Sequence, residues 1–518
     1  MSKKPTMQSK LDELRERREA ILAGGGQKKI DKQHADGKMT ARERIEELVD
    51  PGSFAEVGMF AKHRAVLFGL DSATIPADGV VTGCGTVMGR AVHVASQDFT
   101  VLGGSEGEVH GDKIVTMMDA SLKTGTPFVC FNDSGGARVQ EGSDSLAGVA
   151  RIFYANTLLS GVVPQITIIG GPCAGAAVYS PALTDFIIQT KQAQMYITGP
   201  QVIEQVTGEK VTHEFLGGAA AHMSKSGVVH FVAEDDRHAI LITQKLLSFL
   251  PASNAEDPPE IENDGDIEPN PHLREIIPDD NKKGYDVREV IGNIVDSGDF
   301  LEVQAGYAGN MVVGFGRIVG RSVGFIANQP IVLSGVLDIN ASDKAARFIR
   351  FCNAFNIPLV TLVDVPGFLP GVQQEHDGII RHGAKMLFSY SAATVPKVTI
   401  ILRKAFGGGY IAMCGKDLGA DRVFAWPSAE IAVMGAEGAA EIVFRREING
   451  ADDPAAKRAE LIEEYRQTFA NPYVAAASRL VDDVIDPAET RHLVAQALED
   501  LHTKRELRPP KKHGLIPL

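Results

Sequence analysis

Apolar positions change their period along this chain, and the changes mark out its elements. Residues 8–23 place Leu11, Leu14, Ile21 and Leu22 at helical spacing between charges, which predicts a helix stopped by Gly24-Gly25-Gly26. Residues 78–102 alternate short β-like runs with glycine turns. Beyond them, apolar β-rich runs alternate with helical stretches. Pro127–Phe131 precedes a helix around Ser145–Leu158, and Gln165–Ile169 precedes a helix from about Gly175. This alternation predicts α/β layering around buried strands. Pro251–Asp286 is rich in Pro, Asp, Glu and Asn, has no apolar periodicity, and reads as a linker. The α/β pattern resumes from about Val287 to Ile485, and the tail at Arg508–Lys512 reads as extended.

The two α/β stretches repeat each other. Gly85–Val92 (GTVMGRAV) returns as Gly316–Val323 (GRIVGRSV), Asp112-Lys113 as Asp343-Lys344, and Pro127–Gly136 (PFVCFNDSGG) as Pro358–Gly367 (PLVTLVDVPG), each 231 residues later. Two related domains imply two related pockets, each able to hold one reactant, and so a group transferred between two ligands.

The net charge of −14 argues against nucleic acid or an anionic membrane as the main partner, though basic residues and backbone N–H groups can still hold a small anion. Apolar runs fall short of the roughly 20 residues that span a bilayer, and the polar N-terminus does not read as a secretory signal, so a cytoplasmic protein is expected. Five scattered cysteines without a CxxC pair read as buried free thiols, and no cluster has metal-ligand spacing.

Four strand-to-helix junctions carry the candidate chemistry. They are Asp133–Arg138 (DSGGAR) and Gly170–Ala177 (GGPCAGAA) in the first copy, and Asp364–Gly367 (DVPG) and Lys404–Tyr410 (KAFGGGY) in the second. A glycine there lets a ligand oxygen approach the main chain, and the next helix begins with N–H groups that lack an acceptor inside it. Such a turn can stabilise an oxygen that gains charge during reaction. Other motifs read as structural. Gly103–Gly107 matches GxSxG, but its surroundings do not suit a nucleophilic Ser105. Gly314-Phe315-Gly316 lacks the dinucleotide spacing and reads as a β-turn. Gly24–Gly26 beside Lys28 and Lys29 has no following GK[ST] and reads as a flexible turn. His376 and His382 read as structural. With no acid–base set in the loops, enolate stabilisation fits best, the proton going to a cofactor or substrate.

At this point the residues resemble a known family. DSGGARVQEG (Asp133–Gly142), GPCAGAAVYSPALTDF (Gly171–Phe186), ITGPQVIEQVTGE (Ile197–Glu209), the run Asn340–Glu375 and GADRVFAWPSAEIAVMGAEGAA (Gly419–Ala440) resemble the carboxyltransferase subunits of biotin-dependent acyl-CoA carboxylases. The resemblance covers nearly the whole chain and is strongest to transcarboxylase central subunits. It implies two tandem crotonase-like (ClpP/crotonase) domains, 1–260 on the acyl-CoA side and 275–518 on the biotin side, in hexamers of two stacked trimers. It implies transfer of a carboxyl group between carboxybiotin and a short acyl-CoA, with propionyl-CoA and methylmalonyl-CoA as the pair. By the same resemblance Gly175 and Ala176 hold the thioester enolate, and Gly408 and Gly409 hold the biotin ureido oxygen. Gly135, Gly136, Ala137, Tyr410 and Ile411 are its substrate-binding positions, and no metal is implied.

Three positions depart from the family pattern. Many members carry Gly at Ala176 and Ala at Gly409, which keeps both N–H groups. Propionyl-CoA carboxylase β chains usually carry Asp at Ile411, whereas an apolar residue there resembles transcarboxylases and decarboxylases. The chain has no biotin-attachment Met-Lys dipeptide, so the resemblance assigns biotin to a carrier protein or domain. Other implied partners are a biotin carboxylase or a second carboxyltransferase subunit. A carboxylase β chain and a methylmalonyl-CoA decarboxylase α subunit stay open. So do an enoyl-CoA hydratase using Glu141 and a non-catalytic scaffold.

Overall fold

The computed structural model describes residues 6–263 and 267–518, and the chain divides into two units, Met1–Glu256 and Asp257–Leu518. The strands of the first are β1 Ala55–Glu56, β2 Val80–Val87, β3 Arg90–Gln97, β4 Phe128–Ser134, β5 Gln165–Ala174, β6 Phe186–Thr190, β7 Gln194–Tyr196 and β8 Phe231–Ala233. Those of the second are β9 Leu301–Val303, β10 Met311–Ile318, β11 Arg321–Asn328, β12 Leu359–Val365, β13 Lys397–Phe406, β14 Arg422–Ala425, β15 Glu430–Ala432 and β16 Asp483–Val484. The first sheet runs β1-β2-β3-β4-β5-β6-β8 with β7 on β5, and the second runs β9-β10-β11-β12-β13-β14-β16 with β15 on β13. In each, an antiparallel meander leads into parallel strands. Those strands are buried along their length, as the continuous apolar runs require.

The repeat is structural. Strands β2, β3 and β4 match β10, β11 and β12 residue for residue at the offset of the sequence repeat, and β5 matches β13 one residue further on. Both hairpins turn through a non-glycine residue in the left-handed region, Met88 (φ 51°) and Val319 (φ 51°). Such residues cost of order 1–3 kcal/mol. A carboxylate offsets this each time. Asp50 accepts from the Met88 and Gly89 N–H groups (3.0 and 2.8 Å), and Asp296 from those of Val319 and Gly320 (2.9 and 2.7 Å).

The central pair of parallel strands carries a bulge in both units. Asn132 faces Ile169 but Ser134 faces Cys173; Val363 faces Ile401 but Val365 faces Ala405. The residue between, Asp133 or Asp364, is buried and turns its carboxylate into the bulge. Asp133 is held by Lys38 (2.9 Å), Arg44 (3.1 Å) and the Gln33 amide (3.1 Å). Arg44 also donates to Asp236 (3.0 Å) and the Gly170 carbonyl (3.1 Å), joining β4, β5 and the helix Asp236–Phe249. In the second unit a different cation does this work: Arg403 of β13 meets Asp364 at 2.9 Å, and the Lys404 N–H adds a bond at 3.1 Å.

Several sequence expectations change. Strand β5 runs on to Ala174, so Gly170 and Gly171 lie within it, not in a junction loop. They leave room for the ion pair: a Cβ on Gly171 would lie 2.1 Å from Asp133 Oδ1, and one on Gly170 2.7 Å from Arg44 Nη2. Gly314-Phe315-Gly316 is strand interior, not a β-turn. A Cβ on Gly314 would lie 2.5 Å from the Leu301 carbonyl, so glycine lets β9 approach. The Gly24–Gly26 turn is docked, with Gly25 N–H on Thr100 Oγ1 (3.0 Å). The presumed linker packs from Leu273 onward, where Leu273, Ile276 and Tyr285 join the core of the second unit. Among the described residues no helix is long and apolar enough to cross a membrane. The cysteines are free thiols, four of them buried.

Replacing one partner of a buried pair leaves an uncompensated charge, at about 3–5 kcal/mol. Arg403→Met and Arg44→Met should each lower the unfolding free energy measured in urea by about that much, and an unchanged value would show that the bulge carboxylates need no cation.

Candidate active site

In each unit the bulge delivers two glycine turns to the same place. In the first, β4 ends in the turn Gly135-Gly136-Ala137 and β5 ends at Gly175. Gly136 has φ 94°, and a Cβ on it would lie 2.6 Å from the Ala174 carbonyl, so this turn lies against the residue before Gly175. Gly175 (φ 63°) opens a 3-10 turn over Gly175–Val178, leaving its first N–H groups, Gly175 and Ala176, without an acceptor inside the turn. Nothing lies within 4 Å of a Cβ on Gly175, so its outer face is open.

The second unit repeats this geometry. Strand β13 ends at Gly407 (φ 55°), which opens the helix Gly407–Ala412. A Cβ on Gly409 would lie 2.9 Å from Gly367 Cα, so the turn after β12 again lies against the turn after β13. Strand alignment pairs Gly175 with Gly407 and Ala176 with Gly408, one residue earlier than the resemblance pairs Gly175 and Ala176 with Gly408 and Gly409. All three amides, Gly407 to Gly409, lie in the first turn of that helix. Tyr410 points inward against Gly415, and burial pushes its phenol up to about 12, so it stays protonated. Ile411, the next residue, is half exposed.

Side chains near the first pair of turns are committed to structure. Arg138 is buried and bridges Asp78 (2.6 Å) and Glu141 (2.7 Å), with its other arm on the Ser105 carbonyl (2.9 Å). Glu141 uses its second oxygen to cap the helix Glu108–Thr124 through the Glu108 N–H (2.7 Å). Glu141, the carboxylate that the sequence offered for hydratase chemistry, is thus a cap and an ion-pair partner. Ser105 Oγ accepts from Arg138 Nε at 3.3 Å, an arrangement that does not activate a nucleophile. His382 sits on Asp343 (2.7 Å), and His376 is exposed.

The structure therefore brings together Gly135, Gly136 and Ala137 with Gly175 and Ala176, and separately Gly408 and Gly409 with Phe368 and Gly367, while the Tyr410 ring packs against Gly415. Sequence reasoning missed the buried cations behind each pair. Asp133 and Asp364 stand at matching positions, but Arg44 and Arg403 do not, so the repeat carried no signal for them.

A pair of backbone cradles whose neighbouring Ser105, Arg138 and Glu141 are committed to structural contacts defines a class that polarises carbonyl oxygens with main-chain amides. The carboxyl transferase domain family matches residues 32–516, and the chain belongs to it; it is a biotin-dependent acyl-CoA carboxyltransferase. The 12S subunit of methylmalonyl-CoA carboxyltransferase from Propionibacterium freudenreichii subsp. shermanii is 65% identical over 512 residues, covering 99% of this chain and 98% of that one. The carboxyltransferase subunit of propionyl-CoA carboxylase from Haloferax mediterranei is 55% identical over 515 residues, covering 99% and 100%. A crystal structure of transcarboxylase 12S, a hexamer assembly with methylmalonyl-coenzyme A and methylmalonic acid bound, superposes with a TM-score of 0.98 over 100% of both chains at 65% identity. The two units are thus crotonase-type folds, as the repeat and the resemblance led us to expect.

Gly136→Ala forces a left-handed residue against the Ala174 carbonyl and should lower carboxyl transfer at least about tenfold, or ~1.4 kcal/mol. Gly135→Ala, whose Cβ would meet only the Gly103 carbonyl at 3.7 Å, should be much milder. Equal effects would separate activity from the approach of the two turns.

Proposed function

We propose that this chain moves a carboxyl group between biotin on a separate carrier and a short acyl-CoA, with methylmalonyl-CoA and propionyl-CoA as the pair. The observation that carries the reading is the paired turn. The same bulge, glycine and helix start recur at the end of β5 and of β13, so two oxygens can be polarised by one design. The first unit takes the thioester, whose carbonyl oxygen gains negative charge as the α-carbon loses its proton. The Gly175 and Ala176 amides face that oxygen, and Gly135–Ala137 line the approach.

The second unit takes the ureido ring, and its turn fits a flat cyclic urea. A Cβ on Gly408 would meet nothing nearer than Phe368 at 3.8 Å, so the ring edge can approach the Gly408 and Gly409 N–H groups. Biotin supplies the carboxyl group and a ring nitrogen able to accept the α-proton, which the turns themselves cannot do. Ile411 offers an apolar surface beside this turn, and the apolar residue favours the transcarboxylase type over the propionyl-CoA carboxylase type. The 65% identity to the 12S subunit, against 55% to the carboxylase subunit, supports the same choice. A hexamer, a biotin carrier protein or domain, and a biotin carboxylase or second carboxyltransferase subunit complete the reading.

Incubation with methylmalonyl-CoA and free biotin or a biotin carrier should release propionyl-CoA. Absence of turnover with every malonyl-type thioester would overturn the reading. Gly408→Val should cut kcat/KM about 10²-fold by displacing the ring from the amides, with the oligomer intact on size exclusion. Full activity in that variant would remove the second cradle from the reaction.

A further inference from the structure

The repeat lets one unit serve as a control for the other, and one buried polar cluster of the first is largely apolar in the second. In the first unit Gln97, Glu106, His110 and Asn132 are all buried and polar; the matching positions in the second are Asn328, Leu337, Ala341 and Val363. The register Ala95 to Cys130 and Ser96 to Phe131 puts Gln97 beside Asn132 at the ligand end of the parallel strands.

Glu106 sits under the turn that we assign to the acyl-CoA. Its N–H donates to the Gly136 carbonyl (2.9 Å), and its carbonyl accepts from the Arg138 N–H (2.8 Å). The second unit makes the same ladder with an apolar side chain: Leu337 N–H donates to Gly367 (3.0 Å), and Leu369 N–H to Leu337 (2.8 Å). The fold of this turn therefore does not need a carboxyl group. Gln97 joins Glu106 to the strand end, donating to Oε1 (2.8 Å) while its own oxygen accepts from the Asp133 N–H (3.2 Å). Glu106 Oε2 is buried and has no hydrogen-bond partner. In the second unit the shorter Asn328 accepts from Asp364 (3.2 Å) and donates to the Gly335 carbonyl (3.1 Å), closing the set without an acid.

We propose that Glu106 is a positioning residue for the acyl-CoA half of the reaction, a carboxyl group placed beneath the Gly135–Ala137 turn to set its height above the sheet. This rests on the assignment of the acyl-CoA to the first unit. Burial, opposed by the Gln97 bond, pushes Glu106 up to about 7. The titratable groups facing it stay neutral. Burial pushes the Cys130 thiol up to about 12 and Cys173 well above its usual range, and pushes His110 down to about 3. The neighbouring charges, Arg138 with Asp78 and Glu141, and Asp133 with Lys38 and Arg44, are ion-paired. Below about pH 7 Glu106 holds its proton and the turn rests on a neutral group. Above that, a buried charge with one unsatisfied oxygen must draw in a donor, and the turn tied to its main chain moves.

The test is calorimetric binding of propionyl-CoA to the full-length protein across neutral pH, with Glu106→Gln and Glu106→Leu alongside. Wild-type affinity should fall by up to about tenfold per pH unit above the midpoint. Glu106→Gln, permanently neutral and still an acceptor for Gln97, should lack that fall. Glu106→Leu, the side chain of the matching position, should fold but bind more weakly at low pH. A separate readout is thermal stability. Because the folded value lies above the usual 4.5, Glu106 stabilises the fold fully below that pH, and its contribution is lost as pH rises through about 7. Glu106→Gln should remove this slope. The same pH dependence of binding in wild type and Glu106→Gln overturns the proposal, as does a stability difference without a binding difference. Propionyl-CoA bound with the expected pH dependence but never carboxylated would instead overturn the proposed function and leave Glu106 standing. No binding of propionyl-CoA at any pH overturns both.

Discussion

Each unit depends on a carboxylate buried where its central strands separate. Asp133 and Asp364 occupy a bulge in which β5 or β13 carries extra residues, and that bulge turns the strand ends outward as glycine turns. A carboxylate in such a place is tolerable only if paired and hydrogen-bonded. The cation is therefore a condition of the fold, and the glycine turns at the strand ends inherit their geometry from it. The absence of side chains at Gly170 and Gly171 follows from the same demand, since Asp133 and Arg44 occupy that space.

The two units solve this problem with different partners. In the first, Lys38 and Arg44 reach the bulge from the N-terminal segment; in the second, Arg403 reaches it from within β13. The backbone design has outlasted the side chains that neutralise it. Buried lysines have lasted better. Lys113 and Lys344 stand at matching positions, each donating to two backbone carbonyls and pushed down by burial to about 8. Conserved backbone with variable side chains suits catalysis by main-chain amides. In the proposed reaction, specialisation falls to residues around the turns, such as Ile411 in one unit and Glu106 in the other.

Much of the architecture was legible in the chain. The strands read correctly because buried parallel strands must be apolar throughout, and the offset of the repeat survived in both hairpins and in the Asp133 and Asp364 strand ends. The glycines were harder. Gly314 and Gly170 look like turn residues in one dimension, yet both are strand interior, made small by a neighbour's ring or carbonyl or by a guanidinium. Glu141 looked available for acid–base work and turned out to cap a helix. A glycine or a carboxylate has several structural uses, and only its surroundings choose among them.

The sequence by itself determined the α/β layering, the tandem repeat and the family, because those follow from periodicity and from motifs contiguous in the chain. Tertiary structure decided which cation meets each buried aspartate, which glycine pairs with which, and that a lone glutamate lies under one turn and not the other. Those facts join residues tens to hundreds of positions apart, where spacing along the chain carries no information about contact.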